Sequence, residues 1–215
     1  FRRVLFRSHM LYFDATLRGD QSSTLPISNN MYIYPSFSGS FVFSELLKLG
    51  DKLPYGKVRM SWAQVGSDTD PYQLGLVYTK SKFAYPGYTI GYISNGTIPN
   101  KDLKPTKTNS FEMGLELKFL KNRIGLDFTY YSQLSKNQIM GMASSSTSGY
   151  GYRLINAGEI ENKGVEIALN TRPIQTKDFS WDLNLNFSKN SNKVKKLVDN
   201  MDMFELEKAS WLDVQ

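Results

Sequence analysis

Cysteine is absent from the 215-residue chain, and histidine occurs once, at His9. The first absence removes a disulfide framework, a thiolate metal site and a thiol nucleophile. The second removes histidine-rich metal centres and Ser-His-Asp chemistry, which needs an imidazole beside its nucleophile. No apolar run approaches the ~18 residues of a membrane-spanning helix. Glycine and proline, at 16 and 8, are too few for a collagen-like or low-complexity chain. The net charge of +6 is scattered among acids instead of gathered into a stripe, so it gives no support for nucleic-acid binding.

Even that charge is partly extraneous. Residues 1–8 read FRRVLFRS, with three Arg and no acid. The octapeptide fits none of the patterning that follows and leads into no apolar signal-peptide core. The nucleotides TTC AGA CGT GTG CTC TTC CGA TCT translate to it, and that string resembles a common short-read sequencing adapter. Residues 1–8 are therefore set apart as an adapter-derived scar, not native, and without them the charge falls to +3.

What the chain does have is period-two alternation, the mark of strands with one apolar face. Phe111, Met113, Leu115, Leu117 and Phe119 alternate with polar residues and Gly114. After the turn-like LKNR, Ile124, Leu126, Phe128 and Tyr130 repeat the pattern, so the two runs make a hairpin. Five more runs obey the same rule: Leu11–Leu17, Phe37–Phe43, Val58–Trp62, Val165–Leu169 and Trp181–Phe187. The fold class is all-β, an antiparallel meander of about seven long strands. Long connections at roughly 20–30, 66–107 and 138–160 alternate with the short LLKLGDKLPYG, LKNR and PIQTKD, a layout shared with outer-membrane barrels. A soluble two-sheet sandwich also alternates, since each of its sheets has a wet side. Strand length and the alternation of short and long connections favour the barrel, since sandwich strands average nearer ~5–6 residues, with the sandwich kept as the alternative.

Candidate residues sit in the long connections. Tyr85, Tyr88 and Tyr92, with Tyr150, Tyr152 and Arg153, offer aromatic faces and a cation for a flat ligand or a covering partner. The favoured reading is plainer: tyrosines of this kind line membrane–water boundaries or pack a loop against itself. The acids on the polar phase, Asp14, Glu112, Glu116, Asp127, Glu166 and Asp182, are what a water-filled interior requires at alternate positions and need no acid–base role. No catalytic residue, metal ligand or cofactor site is assigned, and an enzyme is not expected.

Several stretches carry a family resemblance. LYFDATLRGDQSSTLP, YIYPSFSGSFVFSELL and GKVRMSWAQVGSDTDPYQL, then LKPTKTNSFEMGLELKFLKNRIGLDFTYYSQLSKNQI, LINAGEIENKGVEIALNTRPI and FSWDLNLNFSKNSNKVKKLVD, resemble the barrel domain of SusC/RagA-like TonB-dependent outer-membrane transporters. The resemblance implies a partial segment of a 22-stranded transmembrane β-barrel in the outer membrane of a Gram-negative bacterium. It further implies an N-terminal plug, energy from the TonB complex, a SusD-like surface lipoprotein partner, and a glycan or peptide substrate. Short turns would then face the periplasm and long connections the exterior. Residues 9–199 are the expected barrel portion, and 200–215 a truncated loop or the start of the next strand. The segment alone is not expected to transport. A soluble glycan-binding β-sandwich and a passive porin-like barrel without energy coupling are the competing expectations.

Overall fold

The computed structural model describes residues 2–7, 10–47, 50–76, 78–82, 86–93 and 96–197. The expectation for 200–215 lies outside these. In chain order the strands are β1 (Arg2–Arg7), β2 (Leu11–Gln21), β3 (Met31–Val42), β4 (Tyr55–Ser67), β5 (Tyr78–Lys80), β6 (Gly91–Ile93), β7 (Thr97–Ile98), β8 (Thr106–Phe119), β9 (Ile124–Ala143), β10 (Tyr152–Gln175) and β11 (Ser180–Lys196). One helical turn, α1 (Phe43–Leu47), lies between β3 and β4. The main sheet runs β1-β2-β3-β4-β8-β9-β10-β11, every neighbouring pair antiparallel. β5 and β6 form a separate hairpin inside the β4–β8 connection, and β7 pairs in parallel with β10.

The alternating runs fall in the long strands β2, β3, β4, β8, β9, β10 and β11, except that Phe43, expected to end the β3 run, opens α1 instead, and register joins their apolar phases into one surface. Directly paired residues project from the same side of a sheet. One row therefore crosses seven strands: Leu11, Phe41, Val58, Leu115, Phe128, Ile167 and Phe187. The adjacent row on the opposite face is Tyr12, Ser40, Arg59, Gly114, Thr129, Glu166 and Ser188. A one-residue slip in any strand would exchange the two rows, so the alternation itself specifies the register. The sheet is a single layer, and among the described residues the only other sheet is the two-stranded β5–β6 hairpin. The sandwich expectation fails for that reason.

The apolar band has a definite height. On β8 it extends from Phe111 to Phe119, matching the ~9–11 residues with which a tilted strand crosses a bilayer core. Beyond Phe111 the same face becomes charged, in the row Lys107, Lys136, Glu159, where Lys136 and Glu159 pair at 3.2 Å. The band's upper margin is aromatic: Phe37, Trp62 and Phe111 are consecutive in one row, and the Phe37 and Trp62 rings stack at 6.0 Å.

Two boundaries differ from the sequence expectation. β9 has 20 residues and β10 has 24, about 80 Å of extended chain for β10 at ~3.3 Å per residue. Much of the expected 138–160 connection is thus ladder, leaving 144–151 as the turn. The expected 66–107 connection likewise shrinks to 68–105 and carries three short strands. Residues 2–7, set aside as a scar, form an edge strand on β2. Edge pairing uses backbone groups that every residue but proline supplies.

Short turns gather at one end. In the β8–β9 turn, Leu120, Lys121 and Asn122 all adopt left-handed φ, at 50°, 57° and 66°. The neighbouring connection supports them: the Leu120 and Lys121 amides donate to the Lys52 and Asp51 carbonyls.

Candidate functional site

The polar face holds a charged network centred on Arg59 of β4. Its guanidinium donates from Nη1 to Asp127 Oδ2 at 3.0 Å and from Nη2 to Asp127 Oδ1 at 2.9 Å. Nη2 also donates to Thr129 Oγ1 at 2.6 Å, and Glu112 lies 3.9 Å from Nε. Asp127 and Thr129 are on β9, so the side chain spans the whole width of β8. Gly114 makes that crossing possible. A Cβ there would sit 2.4 Å from Arg59 Nε and 2.6 Å from Cζ, inside any allowed contact. The arrangement recurs one layer on: Tyr131 of β9 lies across Gly164 of β10 and donates to Asn190 Oδ1 of β11 at 3.2 Å. Each long side chain uses a glycine as a groove and fastens the strand beyond it.

Register places the six acids named from sequence on this same face. They do not converge as an acid–base pair. Asp127 is committed to Arg59, Asp182 to Arg172 at 2.6 Å, and Glu116 to Lys118 at 3.7 Å. Open depressions of about 480 Å³ and 470 Å³ flank the Arg59 crossing, one lined by Asp14, Ser61 and Glu112 together with Phe13 and Met60, the other by Asp127, Thr129 and Glu166 together with Ile167 and Phe187. Among the described residues no cluster of acids or His is placed to hold a metal ion.

The long connections meet at the other end, around a small apolar core. Leu25, Leu103 and Leu154 are buried together, with Tyr32, Leu74 and Ile139 packed against them, and Leu103 is 0% exposed. Beside it, Asn156 of β10 accepts from the Lys104 amide at 2.7 Å and donates to the Lys104 carbonyl at 2.7 Å. It also donates to the Asn137 carbonyl at 3.1 Å. Nearby, the Ser22 hydroxyl donates to Asp68 at 2.5 Å and the Thr24 hydroxyl at 3.2 Å. The Ser22 bond is the main reason the Asp68 carboxyl lies below its usual range, with Thr24 adding to it against the opposing effect of burial.

The sequence candidates are placed unevenly. Tyr85 lies outside the described residues. Tyr88 and Tyr92 are 74% and 54% exposed on the β4–β8 connection, Tyr92 pairing with Thr79 in the β5–β6 hairpin. Tyr150 is half-buried in the β9–β10 turn. Tyr152 and Arg153 open β10 and pair with Thr97 and Ile98 of β7, so they meet the same connection that carries Tyr88 and Tyr92. The residues that organise these regions, Arg59, Gly114, Leu103 and Asn156, were not singled out from sequence. The signal for Gly114 was present, since a glycine inside a strand pattern marks a close approach.

Comparison with known proteins agrees with this architecture. The family model described as TonB-dependent receptor-like, β-barrel, matches residues 7–202. A TonB-dependent receptor of Formosa agariphila is 30% identical over 213 residues, covering 95% of this chain and 21% of that protein. The TonB-dependent receptor SusC of Bacteroides thetaiotaomicron is 30% identical over 194 residues, covering 86% of this chain and 19% of its own length. The solved RagAB peptide importer in its closed-closed state superposes with a TM-score of 0.85 at 24% identity, covering 93% of this chain and 22% of that one. The chain spans about a fifth of the length of the relatives it matches. With its unclosed meander, its apolar band and a family match over nearly all its length, the chain belongs to the TonB-dependent receptor β-barrel family and is a SusC/RagA-like segment of the barrel wall.

Proposed function

We propose that this segment is part of the wall of an outer-membrane, TonB-dependent importer of glycans or peptides. The observation that carries the reading is the continuous apolar row from Leu11 to Phe187, backed by a polar row on the other face, in a chain of this family. The apolar side chains face lipid, and Arg59, Thr129, Glu166 and their neighbours line the conduit. The short turns are periplasmic and the long connections extracellular.

Tyr85, Tyr88, Tyr92, Tyr150, Tyr152 and Arg153 are the proposed contacts for solute or for a SusD-like surface lipoprotein over the mouth. Energy enters through the TonB complex, by way of parts of the parent protein. The wall segment contributes shape and polarity, not bond chemistry, so it is not an enzyme and does not transport alone. Residues 1–8 are an adapter-derived scar, 9–199 barrel, and 200–215 a truncated loop or the start of the next strand. In support of the first boundary, the family match begins at residue 7.

The experiment is uptake of labelled oligosaccharides and oligopeptides by cells carrying the full-length receptor, with and without TonB and with and without the candidate lipoprotein. Uptake of one class that collapses without TonB is expected. Uptake that survives the loss of TonB supports the passive porin-like reading instead.

A further inference from the structure

The end of the β4–β8 connection, residues 96–105, is unusually well fastened for a loop of this length. Its first residues pair with the start of β10, where the Gly151 and Tyr152 amides donate to the Gly96 carbonyl at 2.8 and 3.2 Å. Its last residues are gripped by Asn156, whose amide side chain bonds both backbone groups of Lys104 as a strand neighbour would. Between them lies Leu103, fully buried.

Asn156 can reach out because the ladder beneath it is interrupted. Asn137 and Gly158, which would face each other, both take left-handed φ, 55° and 80°. Pairing resumes without a change of register on either side, at Ala157 with Gln138 and Glu159 with Lys136. The interruption frees the Asn137 carbonyl, which accepts from Asn156 Nδ2 and from the Thr106 hydroxyl at 3.2 Å. One residue therefore closes the gap in the wall and ties the connection to it.

The direction of this connection follows from its core. Tyr32 shares the alternation phase of Ser36, Ser38 and Ser40, the polar face of β3, and it packs on the cluster that buries Leu103. The same cluster contains Leu25 from the β2–β3 connection and Leu154 from β10. Strands β4, β8 and β9 separate β3 from β10 in the sheet. A cluster that joins them crosses the polar side of the sheet.

We propose that residues 96–105 form a fixed strap across the long-connection mouth of the wall, with Asn156 as its positioning residue and Leu103 as its anchor. The strap is part of the rigid frame, and the β5–β6 hairpin ahead of it is the part of the connection that extends from that frame. The proposal does not depend on which solute passes.

Timed trypsin cleavage of the full-length receptor in outer-membrane vesicles tests it, comparing Lys101 within the strap with Lys80 on the hairpin. Both side chains are exposed, so a difference in rate reports backbone fastening. In the unmodified receptor Lys101 is cut at least tenfold more slowly than Lys80. Asn156→Asp keeps the acceptor for the Lys104 amide and removes both N–H donors; it should speed Lys101 cleavage about tenfold and leave Lys80 unchanged, as expected for local opening governed by a few hydrogen bonds. Leu103→Ala should do the same from the apolar side. Retained resistance to SDS at room temperature shows that the barrel itself is folded in each variant. Equal cleavage of Lys101 and Lys80 in the unmodified receptor overturns the proposal. So does Lys101 protection unchanged in both variants.

Discussion

Replacing Gly114 with alanine adds one methyl group, and the structure says which interaction it destroys. The new Cβ would lie 2.4 Å from Arg59 Nε, and the nearest atoms belong to a guanidinium locked onto Asp127 and Thr129, so the arginine must lift out of the groove. Three hydrogen bonds go with it. Bonds to charged groups contribute ~1.5–3 kcal/mol each when well desolvated. Here Arg59 and Asp127 keep 31% and 34% of their side-chain surface in solvent, and water takes over part of what is lost. A net cost of about 2 kcal/mol is the expected balance, against a gain of ~0.5 kcal/mol from removing a glycine from a strand. The assay is urea unfolding of the full-length receptor in lipid vesicles, run as a cycle with Arg59→Ala. If the methyl acts only by evicting Arg59, Gly114→Ala costs about 2 kcal/mol with the arginine present and stabilises by ~0.5 kcal/mol once it is gone. Equal costs in both backgrounds would refute the crossing as the reason for this glycine.

Three further outcomes follow from the same geometry. On the apolar face, Leu115→Arg should cost about 2–4 kcal/mol in bilayers and Phe119→Arg about 0–1, whereas Asn186→Arg on the polar face should be near neutral; equal costs at all three would reject the band. In the β8–β9 turn, Leu120→Asn should stabilise by about 0.5–1 kcal/mol, because asparagine tolerates left-handed φ better than leucine; a lower unfolding midpoint would contradict this. The Ser22 and Thr24 bonds to Asp68 hold a carboxylate whose pKa is depressed on folding, so their contribution is present above the ordinary carboxylate range and is lost as pH falls through the depressed value. Amide protection in residues 22–30, measured against the intrinsic exchange rate at each pH, should therefore fall on acidification in the native receptor but not in Asp68→Asn.

Where the sequence was legible, one face met an apolar medium and the other a polar one. Phe111–Phe119 and Ile124–Tyr130 read plainly because each second residue is apolar, and register then aligned them without further information. Past Lys107, Lys136 and Glu159 apolar residues fall on both faces, Ile139 and Leu154 on one and Met140 and Ile155 on the other, so β9 and β10 continue as ladder for many residues with no period-two signal. That is why 138–160 reads as a connection. The polar-face network was hidden for a different reason. Arg59 and Asp127 are 68 positions apart, and only the β4–β8–β9 order makes them neighbours. Leu103 is a single apolar residue in a polar stretch, and its burial depends on Leu25 and Leu154 arriving from other connections. Tyrosines stood out more readily, and the structure leaves Tyr88, Tyr92 and Tyr152 largely exposed.

The central claim is that alternate residues of one strand face lipid and a water-filled interior. The segment contains no cysteine, so single labels can be placed at Met113→Cys, Leu115→Cys and Leu117→Cys on one phase and at Glu112→Cys, Glu116→Cys and Lys118→Cys on the other. Spin labels at these six positions of the full-length receptor, reconstituted in bilayers, can be relaxed by oxygen from lipid and by a water-soluble nickel chelate. The account predicts oxygen-dominated relaxation at Met113, Leu115 and Leu117 and a switch away from it at every intervening position. Uniform relaxation along β8, or the opposite phase, would contradict it.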